Sequence, residues 1–304
     1  MEQQLIRWLE ERLGPGPKVP LALGDDAAVL QHSGSRSVVT VDLLNDGVDF
    51  VLPDDPPQRV GRKALAVNLS DLAAMAARPL AGVVALALPR QGAFELAQGL
   101  YEGMLPLAAE YDLVIAGGDT NTWDGPLAIS VTLIGEVTDA GPLLRSGARS
   151  GDAILVTGRF GGSRLGHQFD FDPRVEEALW LITRYPLRAG IDTSDGLSLD
   201  LARVCRASQC GAELDKAAIP IADAAYAWAE QLGDGSTALD HALGDGEDFE
   251  LILAVPPEAA DALIDEQPLA CGLTRIGRFV SEPGLWLLDE NGSRTPLDPH
   301  GYEH

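Results

Sequence analysis

Basic charge is what this sequence lacks most. Its only lysines are Lys18, Lys63 and Lys216, and 46 acids outnumber 22 bases, for a formal charge of −24. Nucleic acid and anionic membranes would repel such a chain, which makes them poor partners. Cysteine is scarce as well. Cys205, Cys210 and Cys271 are an odd number without CxxC spacing. That argues against a disulfide framework or structural zinc and for reduced thiols in a cytoplasmic protein. No apolar run approaches the roughly 20 residues of a membrane-spanning helix. "AGVVALALP" has the length and branching of a buried strand. The opening "MEQQLIRWLEERLG" is charged and amphipathic, unlike a secretory signal. Nucleotide signatures are missing too: there is no GxxxxGK[ST] loop, no HRD or DFG set and no EF-hand spacing. "GRFGGSRLG" is rich in glycine, but its glycines miss the dinucleotide-binding pattern.

What is present suffices for a globular protein. At 304 residues and 46% hydrophobic, the chain can build two cored domains. Periodicity predicts a helix over 4–13, a strand over 37–44, and a helix over 58–77 that stops at Arg78-Pro79. A strand "GVVALAL", a helix over 93–111 kinked near Pro106, and strands "LVIAGG" and "LAISVTLIGEV" follow. The turn-rich stretch 138–152 marks a boundary. Beyond it, "AILVTG", "DFELILAV" and "LTRIGRFV" read as strands, and "SLDLARVCRASQCG" as a helix ended by Gly211.

The acids have a pattern. "GDDAAVL", "TVDLLNDGVDF", "NLSDLAAM", "AGGDTN", "IDTSDGLSLDL" and "GDGEDFEL" each set Asp or Glu beside apolar sequence, often at a glycine and away from bases. Singly, each is ordinary turn chemistry or a helix cap. As a set they are harder to dismiss, because a carboxylate left alone against apolar structure costs several kcal/mol. With so few bases, a divalent cation is the economical partner. Asp oxygens without cysteine suit a hard ion such as Mg²⁺, and Mg²⁺ among many carboxylates points to a polyphosphate ligand.

With "KALAVNLSDLAAM", "GGDT", "SGARSGDAILVTG", "IDTSDGLSLDL", "GEDFEL" and "GYEH" in this order, the chain resembles the thiamine-monophosphate kinase family. That family belongs to the ATP-binding superfamily that also holds aminoimidazole ribonucleotide synthetase, selenophosphate synthetase and the hydrogenase maturation factor HypE. The resemblance implies an α/β (α+β), PurM-like two-domain architecture. Residues 1–139 would form an N-terminal ATP- and metal-binding domain with a mixed sheet and helices, and 140–304 a C-terminal α/β domain. It implies transfer of the γ-phosphoryl of ATP directly to thiamine monophosphate, with several Mg²⁺ ions, no general base, and a cytoplasmic homodimer. Carried across by position, Asp26, Thr40, Asp42, Asp71, Asp119, Asp192 and Asp195 would hold metal. Tyr101, Gly118, Asp119, Arg145 and Ser194 would contact ATP, and Asp49, Glu247 and Tyr302 the acceptor. Asp25 is read as a local turn bond.

Four departures stand out. Asp49 occupies the place of the histidine in the family's "GxHF" element, and an ionised carboxylate cannot donate a hydrogen bond to phosphate. Val41 replaces a hydroxyl residue, removing one possible metal oxygen. Asp245 stands where glycine is usual, and "GGDTN" lacks the arginine that commonly follows. Two alternatives stay open: a superfamily paralogue acting on another small phosphate, and a non-catalytic nucleotide- and Mg²⁺-binding protein.

Overall fold

The computed structural model describes residues 8–9, 15–22 and 24–302. The helix expected over 4–13 lies outside them except for Trp8 and Leu9, which are helical; Glu303 and His304 lie outside as well. Strands β1 (Ala28–Gln31), β2 (Arg36–Asn45), β3 (Ala77–Pro89), β4 (Val114–Trp123) and β5 (Ala128–Val137) form one sheet in the order β1-β2-β5-β3-β4. Only the β3–β4 pair in it is parallel. Helices α1 (Pro57–Ala74) and α2 (Ala93–Glu110) belong to this half.

Helix α1 begins with proline in its first turn, where the missing N–H costs nothing. It is buried almost all round, from Val60 to Ala74, as befits a helix enclosed by structure on every side. Glycines let α1 and α2 touch backbone to backbone. A Cβ on Gly61 would lie 2.0 Å from the Leu100 carbonyl oxygen, and one on Gly103 would lie 1.8 Å from that of Gln58. The helix ends at Ala74, earlier than the sequence predicts, and Arg78-Pro79 already belongs to β3. A register shift between Pro79 and Ala81 against β5 takes up the donor that proline lacks.

The second half is built on seven strands: β6 (Ala153–Thr157), β7 (Ala189–Asp192), β8 (Gly211–Asp215), β9 (Leu251–Val255), β10 (Leu273–Val280), β11 (Gly284–Leu288) and β12 (Arg294–Pro296). Their order is β12-β11-β8-β10-β6-β9-β7. Six α-helices accompany them: α3 (His167–Asp170), α4 (Val175–Ile182), α5 (Leu197–Ser208), α6 (Asp223–Leu232), α7 (Ala238–Gly244) and, after β9, α8 (Pro257–Glu266). Helix α5 ends on Gln209 in the left-handed conformation (φ 54°), and Gly211, predicted to stop it, instead opens β8.

Strand β6 is buried on both faces, which is why it reads as an unbroken apolar run. Leu155 joins a core shared with Leu65 and Leu69 of α1, whereas Ile154 and Val156 join a second core with Leu201 and Phe279. Helix α1 thus packs against α3, α4 and β7 as well as β2 and β5. Across the five-stranded sheet, the face turned away from this core leaves Val41, Leu43, Val83 and Ile134 exposed.

Candidate active site

Three carboxylates from distant parts of the chain meet at the junction of the two halves. Asp26 precedes β1, Asp71 lies on α1 and Asp192 ends β7; ligand oxygens of all three lie within 4.8 Å of one another. Each is oriented by a neighbour. Ser70 Oγ donates to Asp192 at 2.5 Å. Thr40, on the inward face of β2, donates its hydroxyl to Asp71. Arg145 holds Asp26 Oδ1 through Nη2 at 2.5 Å and Nε at 3.2 Å. The backbone N–H of Arg145 also donates to both Asp25 oxygens, at 3.1 and 3.2 Å. Asp25 is therefore more than a turn residue.

Charge in this cluster is not balanced. Burial, and then Asp42, Asp192 and Asp26, push the Asp71 carboxyl well above the usual range. Burial and Asp26 do the same to Asp192. Asp25 is pushed up to about 7 by burial and by Asp26. Burial works against the Arg145 guanidinium, but Asp26 more than offsets it and holds its pKa above the ordinary value. The second oxygen of Asp26 is buried and accepts no hydrogen bond. A buried carboxylate oxygen without a hydrogen-bond donor, beside two further carboxylates, makes an oxygen donor set that could hold a hard cation.

Further acids stand close by. Asp42 shares the inward face of β2 with Thr40, two residues away, and is pushed up to about 6 by burial, Asp49 and Asp195. Val41 lies on the opposite, exposed face. A hydroxyl there would point away from the carboxylate triad, so the valine removes no oxygen from it, contrary to the sequence expectation; the hydroxyl on the inward face is that of Thr40, which donates to Asp71. Asp195, in the β7–α5 loop, pairs with Arg203 at 2.5 Å. That loop is fixed by Asp200, whose Oδ2 accepts the N–H groups of Asp195 and Gly196 at 3.0 Å each. Ser194 is half-buried in the same loop, and its carbonyl accepts the Glu247 N–H at 2.7 Å.

The remaining expected residues lie outside the triad. Asp119 and Gly118 are exposed on the edge strand β4, where Asp119 accepts the Thr120 N–H at 2.9 Å. Tyr101 is half-buried on α2 against the first core. Asp49 Oδ2 accepts the Asn45 N–H at 2.7 Å, which closes the turn after β2. Tyr302 is 38% exposed, and its backbone N–H donates to the Asp195 carbonyl at 2.9 Å, which ties it to the β7–α5 loop.

The glycine-rich turn after β6 is not a phosphate cradle. Its amides already face the chain's own carboxylates: Gly161 donates to Asp248 at 2.9 and 3.1 Å, and Gly162 to Asp245 Oδ2 at 2.9 Å. The unusual Asp245 also lies 2.8 Å from His241 Nδ1. Sequence reasoning assigned no role to Lys63, whose buried ammonium meets Asp49, Gln168 and Glu247. The one available signal was its charge inside an apolar helix.

Comparison with known proteins fits this geometry. Residues 24–137 match the AIR synthase related protein, N-terminal domain, and residues 157–287 the corresponding C-terminal domain. The thiamine-monophosphate kinase of Rhodopirellula baltica is 44% identical over 312 residues, covering 100% of this chain and 97% of the relative. A solved structure of AaThiL complexed with AMPPCP and TMP superposes with a TM-score of 0.85 at 26% identity, over 100% of this chain and 96% of that one. The thiamine-monophosphate kinase of Stenotrophomonas maltophilia aligns at 33% identity and a TM-score of 0.74, over 96% of each chain.

Proposed function

We propose that this chain, which belongs to the thiamine-monophosphate kinase family of AIR synthase related proteins, transfers the γ-phosphoryl group of ATP directly to the phosphate of thiamine monophosphate. The products are thiamine diphosphate and ADP. The observation that carries the reading is the convergence of Asp26, Asp71 and Asp192 around a buried oxygen without a partner. This all-oxygen donor set fits Mg²⁺, and Asp26, Asp71 and Asp192 would hold it, with Asp42 and Asp195 serving further ions. Bound there, Mg²⁺ supplies charge neutralisation for two anions brought together and alignment for in-line displacement.

The protein's own groups do the rest. The acceptor monoester has a second pKa near 6, so its attacking oxygen is already ionised at neutral pH and no general base is required. That oxygen bonds to the γ-phosphorus as the bond to the β–γ bridging oxygen breaks, and the electron pair leaves with ADP. Ser70, Thr40 and Arg145 keep the three carboxylates in place. Gly118, Asp119, Ser194 and Tyr101 are assigned to ATP, together with the Arg145 guanidinium. Asp49, Glu247 and Tyr302 face the acceptor, where carboxylates suit a cationic thiazolium and the Tyr302 ring can stack on a pyrimidine.

A second copy of the chain covers the exposed face of the five-stranded sheet, giving a homodimer. Among the described residues no helix is long and apolar enough to cross a membrane, and we place the enzyme in the cytoplasm with its ATP. The test is a product assay: the purified protein with Mg²⁺-ATP and thiamine monophosphate should form thiamine diphosphate. ATP consumption only with other phosphate monoesters would replace the acceptor. ATP binding without turnover on any of them would replace the activity.

A further inference from the structure

Helix α1 touches both ends of the proposed site. Ser70 and Asp71 stand at the carboxylate triad, and Lys63 lies eight residues earlier, roughly 12 Å along the axis at 1.5 Å per residue. The Lys63 side chain is 1% exposed. Its ammonium lies 2.7 Å from the Asp49 carbonyl oxygen, 2.6 Å from Gln168 Oε1 and 2.5 Å from Glu247 Oε1, with the Phe169 ring 5.1 Å away. An ammonium has three protons to donate, and three acceptors face it. None is left for a substrate, so Lys63 is not itself a catalytic residue.

Its partners come from three separate segments: the turn after β2, helix α3, and the 245–250 loop. The last is held in a costly shape. Glu247 and Phe249 both have left-handed backbones, φ 55° and 52°, which persist only where surroundings hold them. Phe249 is anchored by stacking on Phe171 at 4.1 Å. Glu247 has a half-exposed carboxylate, and Lys63 is the ion pair that fixes it.

We propose that Lys63 is a positioning residue for the acceptor. It sets the Glu247 carboxylate and the Asp49 turn at a fixed distance from Asp71, on the rigid ruler of α1. The site then selects acceptors in which the phosphate meets the carboxylate triad while a cationic heterocycle meets the Glu247 carboxylate. This rests on the kinase reading above and says which residue enforces acceptor specificity within it.

The experiment is steady-state kinetics on the full chain with Mg²⁺-ATP, for the native protein, Lys63→Met, Glu247→Gln and the double variant. Lys63→Met is expected to raise the KM for thiamine monophosphate about tenfold or more while the KM for ATP stays within about twofold. The double variant should be no worse than the poorer single one, because both changes act through one carboxylate. Calorimetric binding of unphosphorylated thiamine should weaken in parallel. Equal rises in both KM values, an unchanged acceptor KM, or additive losses would overturn the role. If Lys63→Met does not fold, Gln168→Ala removes one of the three acceptors and should raise the acceptor KM alone, by a smaller factor; no selective rise would overturn the proposal. A native protein that makes no thiamine diphosphate would instead defeat the kinase reading itself, so the native rate and the variant-to-native ratio report separately.

Discussion

A single oxygen, Oδ2 of Asp26, shows how the site is poised: it is buried and no donor reaches it. Around it Asp71 and Asp192 are pushed toward protonation by burial and by neighbouring carboxylates, Asp42, Asp192 and Asp26 for the first and Asp26 for the second. Asp71→Asn should therefore have opposite effects on activity and stability. Turnover should be nearly abolished because a ligand is lost. The metal-free protein should melt at a higher temperature, because a repelled, buried charge is gone. Unchanged turnover would remove Asp71 from the metal site, and a lower melting temperature in EDTA would contradict the electrostatic account. The pH dependence has the same origin. Asp25 is raised to about 7 and Asp42 to about 6 from an ordinary carboxylate value. The metal-free fold thus keeps protons that the unfolded chain releases, and its stability falls as pH rises from about 4 to 7. In EDTA the melting temperature should decline across that window, and added Mg²⁺ should raise it more at pH 7.5 than at pH 5. Much of this cluster was legible, because short acids at apolar element ends, with few bases, leave little else to pair with. Lys63 was not, since its partners Asp49, Gln168 and Glu247 lie in separate segments and no local pattern announces them. The side of β2 on which position 41 falls was a matter of strand parity, and the motif comparison ignored it.

At the scale of elements, the strongest signals were runs that one environment dictates. Strands β2, β5, β6, β9 and β10 were visible because burial enforces their apolar character. The three-residue edge strand β12 carries no such run, and β11, between β12 and β8, is only five residues long with one of them buried; both went unseen. The ends of α1 and α5 were misplaced because proline and glycine were taken as stops. A bulge lets Pro79 enter a strand, and Gln209 accepts the left-handed cap. The glycine-rich turn after β6 has amides that match a phosphate, but Asp245 and Asp248, over eighty residues away in sequence, occupy them. The α1–α2 crossing had no sequence signature beyond Gly61 and Gly103. Its closeness makes a firm expectation. Gly103→Ala places a methyl group 1.8 Å from the Gln58 carbonyl oxygen, which forces the helices apart and should cost about 1–3 kcal/mol, the usual range for overpacking. Chemical denaturation would measure it; a loss below about 0.5 kcal/mol, within the range of a neutral surface change, would mean the crossing is looser than drawn.

For the whole molecule, one helix couples two sheets, and one strand separates two tasks. Along β2, Thr40 and Asp42 face the site whereas Val41 and Leu43 face outward, each 60% exposed. With Val83 and Ile134 they make an apolar sheet face, the kind of surface that marks an interface. Each copy carries a formal charge of −24, so association on this face must overcome repulsion between like-charged bodies. Salt screens that repulsion, with a Debye length of about 10 Å at 0.1 M, and does not weaken apolar contact. The dimer should accordingly tighten as salt rises from about 0.02 to 0.3 M, the reverse of an interface built on ion pairs. Val41→Asp combined with Leu43→Asp should give a monomer at every salt concentration in analytical ultracentrifugation. Because both side chains point away from Asp71, that monomer should keep the Mg²⁺-dependent rise in melting temperature. A dimer that survives both substitutions would place the second copy on another face, and loss of the metal response would show that the two faces of β2 are not independent.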